Sequence, residues 1–394
     1  MKQTVELDFS WVIPVFGYAF LLLAGFVIGL FFSYKLKHSK FLPKKVRDII
    51  PPSSDALQSE DEDQSEVRME NPKEIVGNPD NTVNVIASEE TMTVLEQMEQ
   101  EELINGFAVV TLEWAAVGAS VIGSGHISSG LPCQDNNGYC DLGNRWGISV
   151  VSDGAGSAKH SNVGSKIVVD QALDYFKKVV EERHWIENKV LPNDEEWNEV
   201  SFKTLQAIKG ALALYARKNR IELDSLNATI IVVIHSPFGL LSCHIGDGRA
   251  GYKGSDGTWR PLFTPHKGEE CNQTMFLPSD YWEKPYARLY GVRIPEAVVI
   301  RDAVQAYTLM SDGCESATWE CNLFDAGKQR FFDPNRPYSA FFDPNVALIR
   351  KFSDENADPK QIKRQWKLFL EKGNKQFVNE TDDKTLILVV ARNH

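Results

Sequence analysis

What the sequence withholds narrows its function first. None of its six cysteines (Cys133, Cys140, Cys243, Cys271, Cys314 and Cys321) forms a Cys-x-x-Cys pair, so the usual structural zinc sites are excluded. Basic residues are almost missing from residues 51–102, where fifteen Asp and Glu stand against two Lys and Arg, a local net charge of −13 in a chain of −12. With that stretch set aside the remainder is close to neutral, and no basic footprint for nucleic acid remains. Internal repeats are absent apart from a short echo, "FFDPN" at Phe331 and again at Phe341, which reads as loop. Finally, residues 11–34 contain no charge at all.

That uncharged run, "WVIPVFGYAFLLLAGFVIGLFFSY", is long enough as a helix to cross a hydrocarbon core of roughly 30 Å. A cleaved signal peptide is the competing reading, but its apolar region is shorter and follows positive charge, whereas Glu6 and Asp8 precede this one and no small-residue cleavage pattern follows. Lys35, Lys37, Lys40, Lys44, Lys45 and Arg47 crowd its C-terminal side against Lys2 alone on the other. Positive residues stay inside, so the expectation is a single-pass membrane protein whose remaining chain is cytoplasmic, with cysteines kept as free thiols. The expected organisation is a short tail at 1–10, a transmembrane helix at 11–34, a basic juxtamembrane segment at 35–50, an acidic disordered linker at 51–104 and a folded domain at 105–394. The linker is too charged and too poor in apolar residues to bury a core. Its acidity therefore carries no information about substrate.

Within 105–394, apolar residues recur at helical spacing over 163–182 and 201–219. Short β-branched runs bounded by Gly, Asp, Asn or Pro predict strands: "WAAVGASVIG", "WGISVVS", "NATIIVVIH", "GLLSCHIG", "AYTLMS" and "TLILVVA". "HSPFG" joins two of them as a hairpin, and "AGYKGSDGTWRPLF" reads as another. Two adjacent helices among hairpin-connected strands imply layers of helix and antiparallel sheet, not a βαβ repeat.

Four aspartates share one kind of position. Asp153 follows "GISVVS", Asp247 follows "LLSCHIG", Asp312 follows "AYTLMS" and Asp382 precedes "TLILVV". If these strands are neighbours the carboxylates converge, and their repulsion in a low-dielectric cleft is relieved by a cation; an all-oxygen site suits Mg2+ or Mn2+. A single Asp-Gly is more often simple turn chemistry, as at Asp256. Four acids at strand ends in order point to a metal site.

The order "CQDNNGY" (from Cys133), "VSDGAGS" (from Val151), "IGDGRAGY" (from Ile245), "LMSDGCES" (from Leu309) and "DDKTLILVV" (from Asp382) resembles the protein phosphatase 2C family of metal-dependent serine/threonine phosphatases, most closely its bacterial branch. The resemblance spans about 290 residues. It implies an α+β fold, an α/β/β/α sandwich of two mainly antiparallel sheets flanked by helices. It also implies a two-metal site holding Mn2+ or Mg2+, with a weaker third ion. Asp153 would bridge both ions, the Gly154 carbonyl would bind one, Asp312 and Asp382 the other, Asp135 would hold metal-bound water and Asp247 would serve the third. A hydroxide bridging the ions would attack phosphorus directly. Partners implied are phosphorylated proteins and a serine/threonine kinase.

The chain departs from the better-known members in places. Gln134 stands where an acid is usual, Ala155 where some members carry His, and Ser316, beside Glu315, where an acid is common. No Arg occurs between Glu101 and Asp135 to clamp phosphate. His126 is the candidate for that role, or a structural loop histidine; His160 is a conceivable substitute for the missing general acid. Residues 264–293 fall where the family places a variable flap, and its aromatics Trp282, Tyr286 and Tyr290 either grip substrate or cover the core. Three function classes follow: a membrane-anchored, cytoplasm-facing phosphatase acting on phosphoserine and phosphothreonine; a pseudophosphatase that binds phosphoproteins or a kinase without turnover; and a phosphodiesterase or nuclease, which the near-neutral domain disfavours.

Overall fold

The computed structural model describes residues 105–267, 274–289 and 291–392. The expectations for the tail, membrane helix, juxtamembrane segment and linker fall outside the described residues. Among the described residues, no helix is long and apolar enough to cross a membrane.

The chain opens with β1 (Gly106–Val110), β2 (Trp114–Val121), β3 (Asn136–Gly143) and β4 (Trp146–Ser152). Two long helices follow, α1 (Ser161–Glu182) and α2 (Asp194–Asn219). Then come β5 (Ile230–Ser236), β6 (Gly239–Ile245), β7 (Arg249–Lys253), β8 (Trp259–Pro261), β9 (Glu296–Ile300) and β10 (Ala306–Met310). A small ribbon, β11 (Leu323–Asp325) and β12 (Arg330–Phe332), precedes helices α3 (Ser339–Asp354) and α4 (Pro359–Lys372), and β13 (Lys384–Ala391) closes the fold. β1, β2, β13, β10, β7 and β8 form one sheet in that order; β9, β6, β5, β4 and β3 form the other. The ladders of both sheets are antiparallel throughout the described residues, as the hairpin spacing predicts.

The strand runs read as almost continuously apolar because both faces are buried. On β4, Ile148 and Val150 face the helices while Val151 faces the opposite sheet. Between the sheets lie Trp114, Val151, Ile231, Tyr307, Ile387 and Val389. The Tyr307 hydroxyl lies 2.9 Å from Ser149 Oγ and 2.8 Å from His235 Nδ1, so a buried polar link ties the sheets. Burial holds His235 neutral, its pKa lowered to about 3. α1 and α2 cover the five-stranded sheet, and α3 and α4 cover the other. Each layer is pinned by an indole N–H on a strand carbonyl: Trp197 to Ser242 at 2.8 Å and Trp366 to Leu386 at 3.0 Å.

Several expectations need correction. α2 begins at Asp194, earlier than its apolar period, because the Asn193 side chain accepts the Glu196 N–H and three acids occupy the first turn. Neither "FFDPN" is plain loop. The first enters β12, and the second lies inside α3, where Phe342 is fully buried 4.7 Å from the Trp259 ring and Pro344 sits in the second turn. α4 carries its start signals in its sequence: Asp358 caps it and Pro359 takes its first position. The described cysteines are free thiols, as expected.

Two glycines on neighbouring helices separate packing from propensity. A Cβ at Gly164 on α1 would lie 2.2 Å from the Leu226 carbonyl oxygen, whereas one at Gly210 on α2 meets nothing within 4 Å. Gly210→Ala is expected to stabilise by ~0.5–1 kcal/mol through helix propensity, and Gly164→Ala to destabilise by ~1–3 kcal/mol through overpacking. Urea unfolding midpoints of the two variants should move in opposite directions; a shared direction would contradict the packing of α1 on the Leu226 turn.

Candidate metal centre

The registers bring the strand ends together. Asn136 pairs with Ser152, so Asp135 and Asp153 leave one edge of the five-stranded sheet side by side. Met310 pairs with Leu386, which sets the turn at Asp312 against residues 382–383 on the facing sheet. β6 ends at the same edge and delivers Asp247. Ligand oxygens of Asp153, Asp247 and Asp312 lie within 4.8 Å of one another.

The glycines after these acids are required by crowding. A Cβ on Gly154 would lie 2.6 Å from the Gln134 carbonyl oxygen, and one on Gly313 would lie 2.0 Å from that of Asp383. Only a residue without a side chain lets the two aspartate turns close on their neighbours.

Electrostatics follow from burial and proximity. The Asp153 carboxyl is pushed well above the usual range by burial, then by the charges of Asp135, Asp312, Asp247 and Asp382. Asp312 is pushed up to about 7 by burial and then by Asp247, Asp382 and Glu315. Asp135, 1% exposed, is raised by burial and by Asp383, although Ser311 Oγ donates to its Oδ2 at 2.7 Å. Asp247 is raised chiefly by burial, against a 2.6 Å hydrogen bond donated by Thr274 Oγ1. Asp382 stands exposed at the lip, and its carboxyl too is raised by partial burial. The Oδ1 of Asp312 is buried and has no hydrogen-bond partner among the described residues. Converging, raised carboxylates with an orphaned inner oxygen fit a hard divalent cation, which satisfies the oxygen and offsets the repulsion.

Three features escaped the sequence. Asp383, 1% exposed, accepts the N–H of Gly123 at 2.7 Å and of Gln134 at 2.6 Å, and its Oδ1 lies 2.9 Å from His126 Nδ1. The adjacent acids looked alike, and only the start of β13 at Lys384 turns the second one inward. Glu315, not Ser316, is the acid facing this end: it pairs with Arg249 and Lys267, each at 3.0 Å. Thr274 reaches Asp247 from the flap. Of the flap aromatics, Trp282 is fully buried against Phe202, Tyr286 is 67% exposed, and Tyr290 lies outside the described residues. His160 stands at the N-terminus of α1, where its side chain makes no cap hydrogen bond.

His244, His266 and Glu296 also bring ligand atoms within 4.8 Å. The two imidazoles are stacked, centroids 4.0 Å apart and planes 18° from parallel. In-plane lone pairs on stacked rings run alongside each other and do not meet on one ion, so this group is packing. Burial holds both rings neutral, His266 at about 4.

Residues 122–360 match the family model for protein phosphatase 2C. The chain belongs to the protein phosphatase 2C family. It is a protein-serine/threonine phosphatase, a hydrolase of phosphomonoesters in a metal-dependent family. Serine/threonine-protein phosphatase 3 of Escherichia coli is 28% identical over 290 residues, covering 71% of this chain and 99% of that protein. Among solved structures, a serine/threonine phosphatase of Mycobacterium tuberculosis aligns at 15% identity over 72% of this chain and 100% of its own, TM-score 0.40. One from Staphylococcus aureus aligns at 14% over 71% and 95%, TM-score 0.41.

A cation binding here must displace the proton that Asp312 holds near neutrality, and those of the other raised carboxyls, so its affinity is expected to fall by at least about tenfold per pH unit below 7. Binding to the folded state raises the unfolding temperature. The rise produced by Mn2+ should therefore be larger at pH 8 than at pH 6, and vanish in Asp312→Asn. A rise that ignores both pH and this substitution would remove Asp312 from the ligand set.

Proposed function

We propose that the protein is a membrane-anchored phosphatase that removes phosphate from phosphoserine and phosphothreonine on the cytoplasmic face, using two divalent cations, Mn2+ or Mg2+. The observation that carries the reading is the convergence of Asp153, Asp247 and Asp312 within 4.8 Å around an unpartnered Asp312 oxygen. Asp153 and the Gly154 carbonyl would hold one ion, Asp153, Asp312 and Asp382 would hold the other, and Asp247 would serve a weaker third. When bound, the cations supply an activated water and neutralise charge developing on the phosphoryl group.

The chain's own groups do the rest. Asp135, braced by Ser311, accepts a hydrogen bond from the attacking water and orients it in line. His126 takes the place of the absent arginine and donates to a phosphate oxygen; Asp383 keeps it at the lip of the site. Lys267, 3.0 Å from Glu315, adds positive charge beside Asp247 and Asp312. Residues 11–34 supply the anchor and the basic residues at 35–47 its orientation. Phosphoproteins at the membrane, and the kinase that modifies them, are the partners this placement favours.

The test is phosphate release from a phosphothreonine peptide by the full chain in detergent, titrated with Mn2+ and Mg2+. Asp153→Asn and Asp312→Asn should each lower kcat by about 10²–10³ or more, in line with loss of an electrostatic stabiliser. His126→Ala should act mainly on KM. Metal-independent turnover, or turnover unchanged in both Asp variants, would sink the two-ion reading. For the anchor, protease added to sealed vesicles should digest the domain only when the cytoplasmic face is outward.

A further inference from the structure

The ribbon β11–β12 exposes an apolar surface that the catalytic reading leaves unexplained. Leu323 pairs with Phe332 and Phe324 with Phe331. Consecutive residues of a strand point to opposite faces, so one pair occupies each face. All four are open to solvent: Leu323 38%, Phe332 44%, Phe324 52% and Phe331 68% exposed. The Phe324 and Phe331 rings lie tilted at 57° to each other, centroids 5.1 Å apart, and make no other ring contact among the described residues. A two-stranded ribbon in water is marginal by itself, and clustered exposed aromatics mark a binding surface.

We propose that this ribbon seats in the interface of the lipid bilayer to which the chain is tethered. The proposal rests on the anchor reading of residues 11–34. Apolar residues on both faces suit immersion in a surrounding medium, where a protein groove would cover one face. At the turn, Asp325 accepts the N–H groups of Gly327 and Lys328, and its other oxygen lies 3.6 Å from Lys328 Nζ. Lys328 and Arg330 carry long stems that lie along acyl chains while their charges reach headgroup phosphates. A chain anchored at residues 11–34 stays in the vicinity of the bilayer, so a weak insertion of the ribbon suffices. The base of the ribbon is fixed to the catalytic end of the fold: Asp333 pairs with Arg249 at 2.6 Å, and Arg249 holds Glu315. Seating the ribbon therefore sets the orientation of the cleft towards membrane-proximal phosphoproteins.

The test reconstitutes the full chain in phosphatidylcholine–phosphatidylglycerol vesicles containing a trace of lipid with a photoactivatable tail, and maps adducts by peptide mass spectrometry. Adducts on residues 323–332 as well as on 11–34 are expected. Phe324→Ser with Phe331→Ser should reduce the ribbon adducts at least tenfold, leaving those on 11–34 and turnover of a soluble phosphopeptide unchanged. The wild-type pattern decides even if that variant folds poorly. Adducts on 11–34 alone overturn the proposal while the anchor stands; adducts on the ribbon alone uphold it while the anchor falls; adducts on neither overturn both. Crosslinks from Lys328 to a second copy in place of lipid adducts overturn it in favour of self-association.

Discussion

Carboxylates gathered at one end of two facing sheets repel each other, and the local structure of that end is a set of answers to this repulsion. Three of the acids have oxygens met by fixed donors: Ser311 for Asp135, Thr274 for Asp247, and the N–H groups of Gly123 and Gln134 for Asp383. The donors hold the outer edge of the cluster in place. They leave Asp312 Oδ1 buried with no hydrogen-bond partner among the described residues. Fixed dipoles at the rim and an unsatisfied carboxyl oxygen at the centre suit a hard cation, because the site is organised before it binds.

Holding such a cluster needs a platform that does not relax. The strands behind it are buried on both faces, pinned to helices by Trp197 and Trp366 and to each other through Tyr307. A slip of one residue in any ladder would turn an acid away from the cleft and an apolar side chain into it. Gly154 and Gly313 tighten the constraint, since their turns close against carbonyl oxygens with no room for a Cβ. Repulsion among the acids is thus met by packing that is continuous through four layers.

The parts legible in the sequence were those set by short-range pattern. β4 runs from Trp146 to Ser152 as its apolar run predicts, and the acids fall just beyond strand ends because an Asp-Gly breaks a strand wherever it occurs. What stayed hidden depended on distant partners. The second "FFDPN" looks like a turn until Phe342 meets Trp259 and Trp319 across the sheet. Asp382 and Asp383 are adjacent identical residues in sequence, and only the direction of β13 buries one and exposes the other. Glu315 acquires its place from Arg249 on a strand 66 residues earlier and from Lys267 in the flap. Trp282 could be assigned to substrate or core only once Phe202 on α2 was beside it.

The flap illustrates how one segment serves two masters. Its middle is welded to the helix layer: Trp282 is buried, and Lys209 on α2 pairs with Asp280 and, at 2.6 Å, with Glu283. Its start and Thr274 touch the acid cluster, Lys267 through Glu315 and Thr274 through Asp247. Cation occupancy at Asp247 therefore competes with a hydrogen bond from the flap, because the carboxylate oxygen that accepts Thr274 is one of the two it has to offer a metal. Asp153 and Asp312, whose carboxylates accept no hydrogen bond from the flap among the described residues, would hold a cation free of that competition. The acid cluster and the flap thus meet at Asp247 and Glu315, and it is there that changes in the flap sequence are coupled to the site.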